Sequence, residues 1–206
     1  MLGQVTMSFT KVRGRGFTLI EALVTLAIVA VLTMIAIPSL TNWIAVQRVK
    51  AVAAELVTDL RFAKGEAIKR NQRVAIEFMN VAGNQSCYSV HTAPVAALSC
   101  SCTQGEGFSC DQDNNPALPN FSTLLVELKT VSSPATSNIS IRSSRPVEAF
   151  LAPNGFPDPA LLGLGAFQAE VDGGDQRKLR VTSNAAGRPQ ICAPHGSTIV
   201  GYPECI

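Results

Sequence analysis

The sequence predicts an α+β protein, with a long N-terminal helix followed by a head of short antiparallel strands. Three observations predict it. Phe17–Ile37 is an apolar run with a single charge, Leu40 to Asn71 repeats its apolar residues at three- and four-residue steps, and the rest alternates in short segments between Gly, Pro and Asn turns. The composition agrees with this division. The 206 residues are 47% apolar and 16% charged, where about 25% charged is usual. A disordered, collagenous or acidic solvating chain is excluded, and an unusually apolar piece attached to a globular domain remains.

The formal charge of +2 hides an asymmetry. Residues 1–16 hold Lys11, Arg13 and Arg15 and no acid, and without them 14 basic groups face 15 acidic ones. No global positive field points to nucleic acid. All 6 cysteines lie beyond residue 86, which suits an oxidising compartment for the later part of the chain.

The run FTLIEALVTLAIVAVLTMIAI has 21 residues and one charge, Glu21. As a helix it is about 30 Å long, the thickness of a bilayer core. The basic residues before it, with no comparable cluster until Arg48, place the N-terminus in the cytoplasm and the rest outside. A cleaved signal peptide has a core of about 7–15 residues and a small-residue cut site. This run is longer, and Ile35-Ala36-Ile37-Pro38-Ser39 is a poor site of that kind. A plain anchor explains the length but not Glu21, since a carboxylate in hydrocarbon costs about 3 kcal/mol and usually marks function. Pro38 lacks an N–H and clashes with the preceding turn, so a kink or loosening is expected there.

Gly16-Phe17-Thr18-Leu19-Ile20-Glu21, placed after a short basic leader and ahead of the apolar run and Pro38, resembles the class III signal of type IV prepilins and type II secretion pseudopilins. The resemblance implies a cut after Gly16 by a prepilin peptidase and methylation of the Phe17 amine. It implies that Glu21 neutralises the terminal amine of a neighbouring subunit as the helix packs into a filament. Met7 is an alternative start, giving a ten-residue leader. The expected divisions are a leader at 1–16, a transmembrane and assembly helix at 17–38, an amphipathic helix at 39–72 and a periplasmic β-rich head at 73–206. The expected site is the bacterial inner membrane, crossed once.

In the amphipathic part, Val49, Val52, Ala53, Leu56, Val57, Leu60, Ala63, Ala67 and Ile68 form one stripe. Arg48, Lys50, Glu55, Asp59, Arg61, Glu66, Lys69 and Arg70 sit mostly off it, with Glu66 and Arg70 in the order that favours an i, i+4 pair. The stripe is expected to pack on a sheet. The block from Leu56 to Val74 is similar to one shared by GspH/FimT-type minor pilins and pseudopilins, where the helix runs into the first strand. It departs at Lys64-Gly65, a change expected on the exposed face. The resemblance implies the pilin-like version of the α+β fold.

Expected strands are Val74–Met79, Cys87–His91, Leu124–Val131, Ile139–Arg142, Val147–Leu151, a hairpin of Ala166–Val171 with Arg177–Ser183, and Arg188–Cys192. Turns are expected at Asn80–Asn84, Pro153-Asn154-Gly155 and Ala186-Gly187. Residues 92–123 form a long irregular, cysteine-bearing loop, a kind that is functional or disordered. Cys192 and Cys205 bracket the C-terminal loop, and disulfides closing such loops are common in pilins, so this pair is expected to be bonded. Cys87, Cys100, Cys102 and Cys110 allow three pairings, all open. Their spacing lacks the paired motif of a zinc site, so no metal and no cofactor are expected.

No catalytic grouping emerges. His91 and His195 are the only histidines, and His195 reads as an exposed loop residue. Gly163-Leu164-Gly165 is an incomplete nucleotide fingerprint. The leading expectation is a non-enzymatic minor pilin or pseudopilin, at low copy near a filament tip, with other pilins and the prepilin peptidase as partners. The second is DNA binding for transformation, because some FimT-like members use a Gly-Arg-x-Arg motif near the C-terminus. Here the segment is Gly187-Arg188-Pro189-Gln190, without the second arginine. Arg177, Lys178, Arg180 and Arg188 are the residues for that role, although residues 166–206 are neutral overall.

Overall fold

The computed structural model describes residues 17–81, 85–93, 100–104, 107, 109–110, 125–133, 138–162 and 166–206. They fall into two compact units, Met1–Trp43 and Ile44–Ile206. Helix α1, Leu19–Arg70, runs through both.

In the first unit, α1 exposes nearly every apolar residue it carries, from Leu19 and Ile20 to Met34 and Ile37. No single helix among the described residues is long and apolar enough to cross a membrane alone. Leu19–Met34 and Ser39–Arg70 pass that test together, as a pair bent at the break between them. That break contains Pro38.

In the second unit, α1 supplies the central stripe of the core. Val49, Ala53, Leu56, Leu60, Ala63 and Ala67 are fully buried. The helix ends at Arg70 in a Schellman arrangement. Asn71 takes a left-handed φ of 51°, its N–H bonds to the Ile68 carbonyl at 3.3 Å, and the Gln72 N–H reaches back to Ala67 at 3.2 Å. The last carbonyls are thus satisfied, and the chain turns into the first strand.

Two antiparallel sheets close on the stripe. The first has the order β3-β2-β1-β5-β6, built from β1 (Val74–Val81), β2 (Gln85–Thr92), β3 (Glu127–Ser133), β5 (Val147–Leu151) and β6 (Phe156–Pro157). The second has the order β4-β7-β8-β9, from β4 (Ser140–Ser143), β7 (Phe167–Asp172), β8 (Lys178–Ser183) and β9 (Pro189–Cys192). A four-residue helix α2, Pro159–Leu162, follows β6. Phe78 of β1 joins the sheets, with its ring 5.5 Å from Tyr88 and 5.4 Å from Phe167. At Gly173, just past β7, an added Cβ would lie 2.3 Å from Val49 Cγ2. Only glycine lets this hairpin end approach the helix so closely.

Some expectations need correction. Asp59 and Glu66 are buried, and Ile68 is 46% exposed. The burial of Asp59 has a direct cause. Tyr88 Oη donates to its Oδ2 at 2.7 Å, and Lys129 Nζ, from β3, donates to both of its oxygens at 2.8 Å and to Glu55 at 3.2 Å. Burial pulls the Lys129 ammonium down, but Asp59 and Glu55 outweigh it and hold that group above the ordinary lysine value. Burial, reinforced by the Asp59 charge, pushes the Tyr88 hydroxyl far up. Lys64 is half-buried rather than exposed. It donates to the Ala186 carbonyl at 2.7 Å and its ammonium stands over the Phe156 ring.

The third strand begins at Glu127 and extends to Ser133, because Val126 instead exchanges bonds with the Thr92 backbone and hydroxyl beside an irregularity at Val90/His91. Asn80 and Val81 belong to β1, and the remainder of the expected turn lies outside the described residues. Much of the 92–123 loop, including 94–99 and 111–123, lies outside them too.

Three disulfides are present: Cys87–Cys102, Cys100–Cys110 and Cys192–Cys205. One of the first two ties the loop to β2, and the other closes the loop on itself.

Two outcomes follow from this packing. Arg70's hydrogen bond holds the buried Glu66 carboxyl below its usual range. A lowered carboxylate stabilises the fold fully above about pH 4.5, and the benefit fades as pH falls through the folded-state value. Arg70→Gln is therefore expected to lower the urea midpoint at neutral pH, with the deficit vanishing in acid. Replacing Cys192 and Cys205 by serine removes a bond closing a separation of 13 residues. The expected loss is about 3 kcal/mol, read as a melting temperature lower by roughly 6–12 °C.

Candidate functional site

The N-terminal site is built by the first turn of α1. Thr18 Oγ1 accepts the Glu21 N–H at 3.3 Å, and the Thr18 carbonyl accepts the Ala22 N–H at 3.2 Å. Thr18 is therefore the N-cap and Glu21 the third helical residue, the Thr-x-x-Glu spacing of a capping box. A carboxylate here also complements the positive end of the helix dipole. Phe17 precedes the cap and is 81% exposed, and the Glu21 side chain is exposed as well. Gly16 and the basic leader lie outside the described residues.

The C-terminal cations that the sequence grouped are largely spent on local acids. Lys178 pairs with Glu170 at 3.2 Å and Asp172 at 3.1 Å, Arg180 with Glu170 at 3.4 Å, and Arg177 with Asp175 at 2.7 Å. The hairpin register causes this, since Asp172 faces Lys178 and Glu170 faces Arg180 across β7 and β8. Hydrogen bonds from Lys178 to Asp172 and Glu170 hold its ammonium above the ordinary value. Arg188 is exposed in the turn before β9 and makes no ion pair among the described residues. That turn is organised by Asn184 Oδ1, which accepts the N–H groups of Ala186 and Arg188 at 3.0 Å, and by Gly187 at a φ of 66°. The Cys192–Cys205 bond lies along the same groove, about 310 Å³ in volume, as Arg188.

Among the described residues, the two histidines stand apart from any open nucleophile or metal-ligand set. His195 is exposed in its loop, and His91 is fully buried. His91 lies with the sulfurs of Cys100 and Cys110 inside 4.8 Å, but those sulfurs are bonded to each other and offer no thiolate to an ion. Ser89 Oγ approaches His91 Nδ1 only to 3.5 Å, with both residues at zero exposure. That is a sealed contact rather than a nucleophile and base open to substrate.

Sequence reasoning missed the buried pairs under β5. Arg145 pairs with Glu148, which is 1% exposed, and Arg73 with Asp158 at 3.0 Å. Burial pushes the Glu148 carboxyl up, and Arg145 only partly opposes it. Their i, i+3 spacing is a weak signal in a segment that is not helical, so nothing in the pattern marked them.

Comparison with known proteins bears on both ends of the chain. The family described as type II transport protein GspH matches residues 52–187, more than half of the sequence, and a prokaryotic N-terminal methylation motif matches residues 12–37. No curated protein matches the chain. Among solved structures, the chain is similar to the type IV minor pilin FimU of Pseudomonas aeruginosa strain PAO1 in two crystal forms. Identity is 12% and 14%, the TM-scores are 0.46 and 0.44, and the matches cover 70% and 69% of this chain and 88% and 90% of those. The chain belongs to the GspH family, and with its N-terminal methylation motif it is a minor pilin or pseudopilin.

Proposed function

We propose that this protein is a non-enzymatic filament subunit. It is cut after Gly16, methylated on the Phe17 amine, held by one membrane crossing with the Ile44–Ile206 head in the periplasm, and assembled near the tip of a type IV pilus or a secretion pseudopilus. The observation that carries this reading is the pairing of a methylation motif at 12–37 with a GspH match at 52–187, joined by one helix from Leu19 to Arg70. The exposed apolar face of Leu19–Met34 supports it, because such a surface needs lipid or neighbouring helices around it. The head contributes a core, disulfides and paired surface charges, and it contributes no arranged nucleophile, base or ligand set among the described residues.

Glu21 has two roles in this account. Its backbone N–H is capped by Thr18 within its own chain, and its exposed carboxylate is offered to the cleaved amine of Phe17 on a neighbour. Opposite charges attract strongly where water is excluded, and a buried unpaired carboxylate is penalised. The register of packed helices therefore depends on the match. DNA binding is the weaker reading. Of the four cations grouped for it, only Arg188 lacks an acidic partner among the described residues.

The test is Glu21→Ala, with Glu21→Gln as the variant that keeps the shape of the cap. Both are expected to insert in the membrane at native levels, and filament incorporation is expected to fall at least tenfold, well within the roughly 3–5 kcal/mol that breaking a buried pair costs. Native incorporation of Glu21→Ala contradicts the assembly role.

A further inference from the structure

One side chain in the first turn of α1 behaves unlike others of its type. Thr25 and Thr33 turn their hydroxyls back onto their own helix, donating to the Ala22 and Ala30 carbonyls at 2.9 Å. Thr18 does the reverse. Its Oγ1 accepts the Glu21 N–H at 3.3 Å, while its carbonyl accepts the Ala22 N–H at 3.2 Å. The first N–H groups of a helix have no partner within it, and a side-chain oxygen at the boundary fixes where the helix starts. That boundary lies beside the bond proposed to be cut. α1 begins at Leu19, so Phe17 and Thr18 stand outside it in the chain that still carries its leader, and Phe17 is 81% exposed.

We infer that Thr18 is a positioning residue for processing: its cap stops the helix short of Phe17 and keeps the backbone at the cut open to the peptidase. This rests on the reading above that the chain is cut after Gly16. In an α-helix each N–H bonds to the carbonyl four residues back. The Glu21 N–H is therefore the donor that the Phe17 carbonyl would take if the helix ran further back. Thr18 Oγ1 occupies that donor instead. One more step of the ladder would spend the Gly16 carbonyl on the Ile20 N–H. That carbonyl is the group cleavage attacks. Water adds to its carbon, the bond to the Phe17 nitrogen breaks, and the nitrogen leaves with a proton as the free amine, while Gly16 keeps the water oxygen as a carboxylate. Proteolysis concentrates on exposed backbone of this open kind.

The test follows release of residues 1–16 from the full chain in membrane vesicles by a prepilin peptidase, with KM and kcat read by mass spectrometry. Thr18→Val keeps the branched shape and removes the acceptor, and Thr18→Ala removes both. Each is expected to raise KM about fivefold, the effect of losing an N-cap on the population of the open boundary. kcat is expected to stay at its native value, because the same conformer reacts once bound. The Phe17 Cα chemical shift is expected to move toward its helical value in both. Thr18→Asn supplies a capping oxygen on a side chain of different shape, and it is expected to keep the native KM, as is Thr18→Ser. Native KM in Thr18→Val and Thr18→Ala overturns the proposal. So does rescue by Thr18→Ser without rescue by Thr18→Asn, which marks a contact between the hydroxyl and the peptidase. A native chain that is not cut after Gly16 removes the processing reading itself, and the role of Thr18 with it.

Discussion

Burial of one helical stripe, from Val49 to Ala67, is the constraint on which the head depends. Ala53, Leu56, Leu60, Ala63 and Ala67 share one buried cluster with residues of both sheets. Each sheet alone has an apolar face that water would penalise, and the helix satisfies both. The buried aromatic contacts of Phe78 with Tyr88 and Phe167 then lock one sheet against the other. Disulfides work outside this core. They tie Cys102 to β2, Cys100 to Cys110, and the C-terminal tail to β9.

The same helix meets two different environments. Its N-terminal turns expose apolar side chains that only lipid or other helices can cover, and its later turns are covered by the chain's own strands. This division explains why the charges are arranged so differently in the two parts. Glu21 is an exposed carboxylate at the helix start. Asp59 is buried and satisfied three times over, so it serves the head's internal geometry. Across the last strands, carboxylates and cations pair in register, and among the described residues Arg188 stands outside those pairs.

Much of this was legible in the residues. The alternation of Val74, Ile76 and Phe78 located β1, and the three- and four-residue spacing located the buried helix face, because both signals come from one-sided burial. The N-terminal motif was legible because each of its residues has a fixed place. Asp59 and Glu66 were misplaced because a charge normally marks solvent, and only the tertiary partners Tyr88 and Lys129 make burial of Asp59 tolerable. The two-residue β6 and four-residue α2 are too short to show a period. Pairing among Cys87, Cys100, Cys102 and Cys110 depends on how the loop folds over β2, which spacing does not encode. The spent cations could have been found. A hairpin of Ala166–Val171 with Arg177–Ser183 already sets the last acids of one strand against the first cations of the other.

The most direct measurement of the central claim is mass spectrometry of sheared surface filaments and of membranes from cells making the protein, reading the N-terminal peptide. A filament subunit of this family is expected to yield a peptide that begins at Phe17 with a methylated amine. Finding it in the filament fraction supports a pilus, and finding it only in membranes supports a secretion pseudopilus. A chain that retains residues upstream of Phe17 wherever it is found contradicts the account.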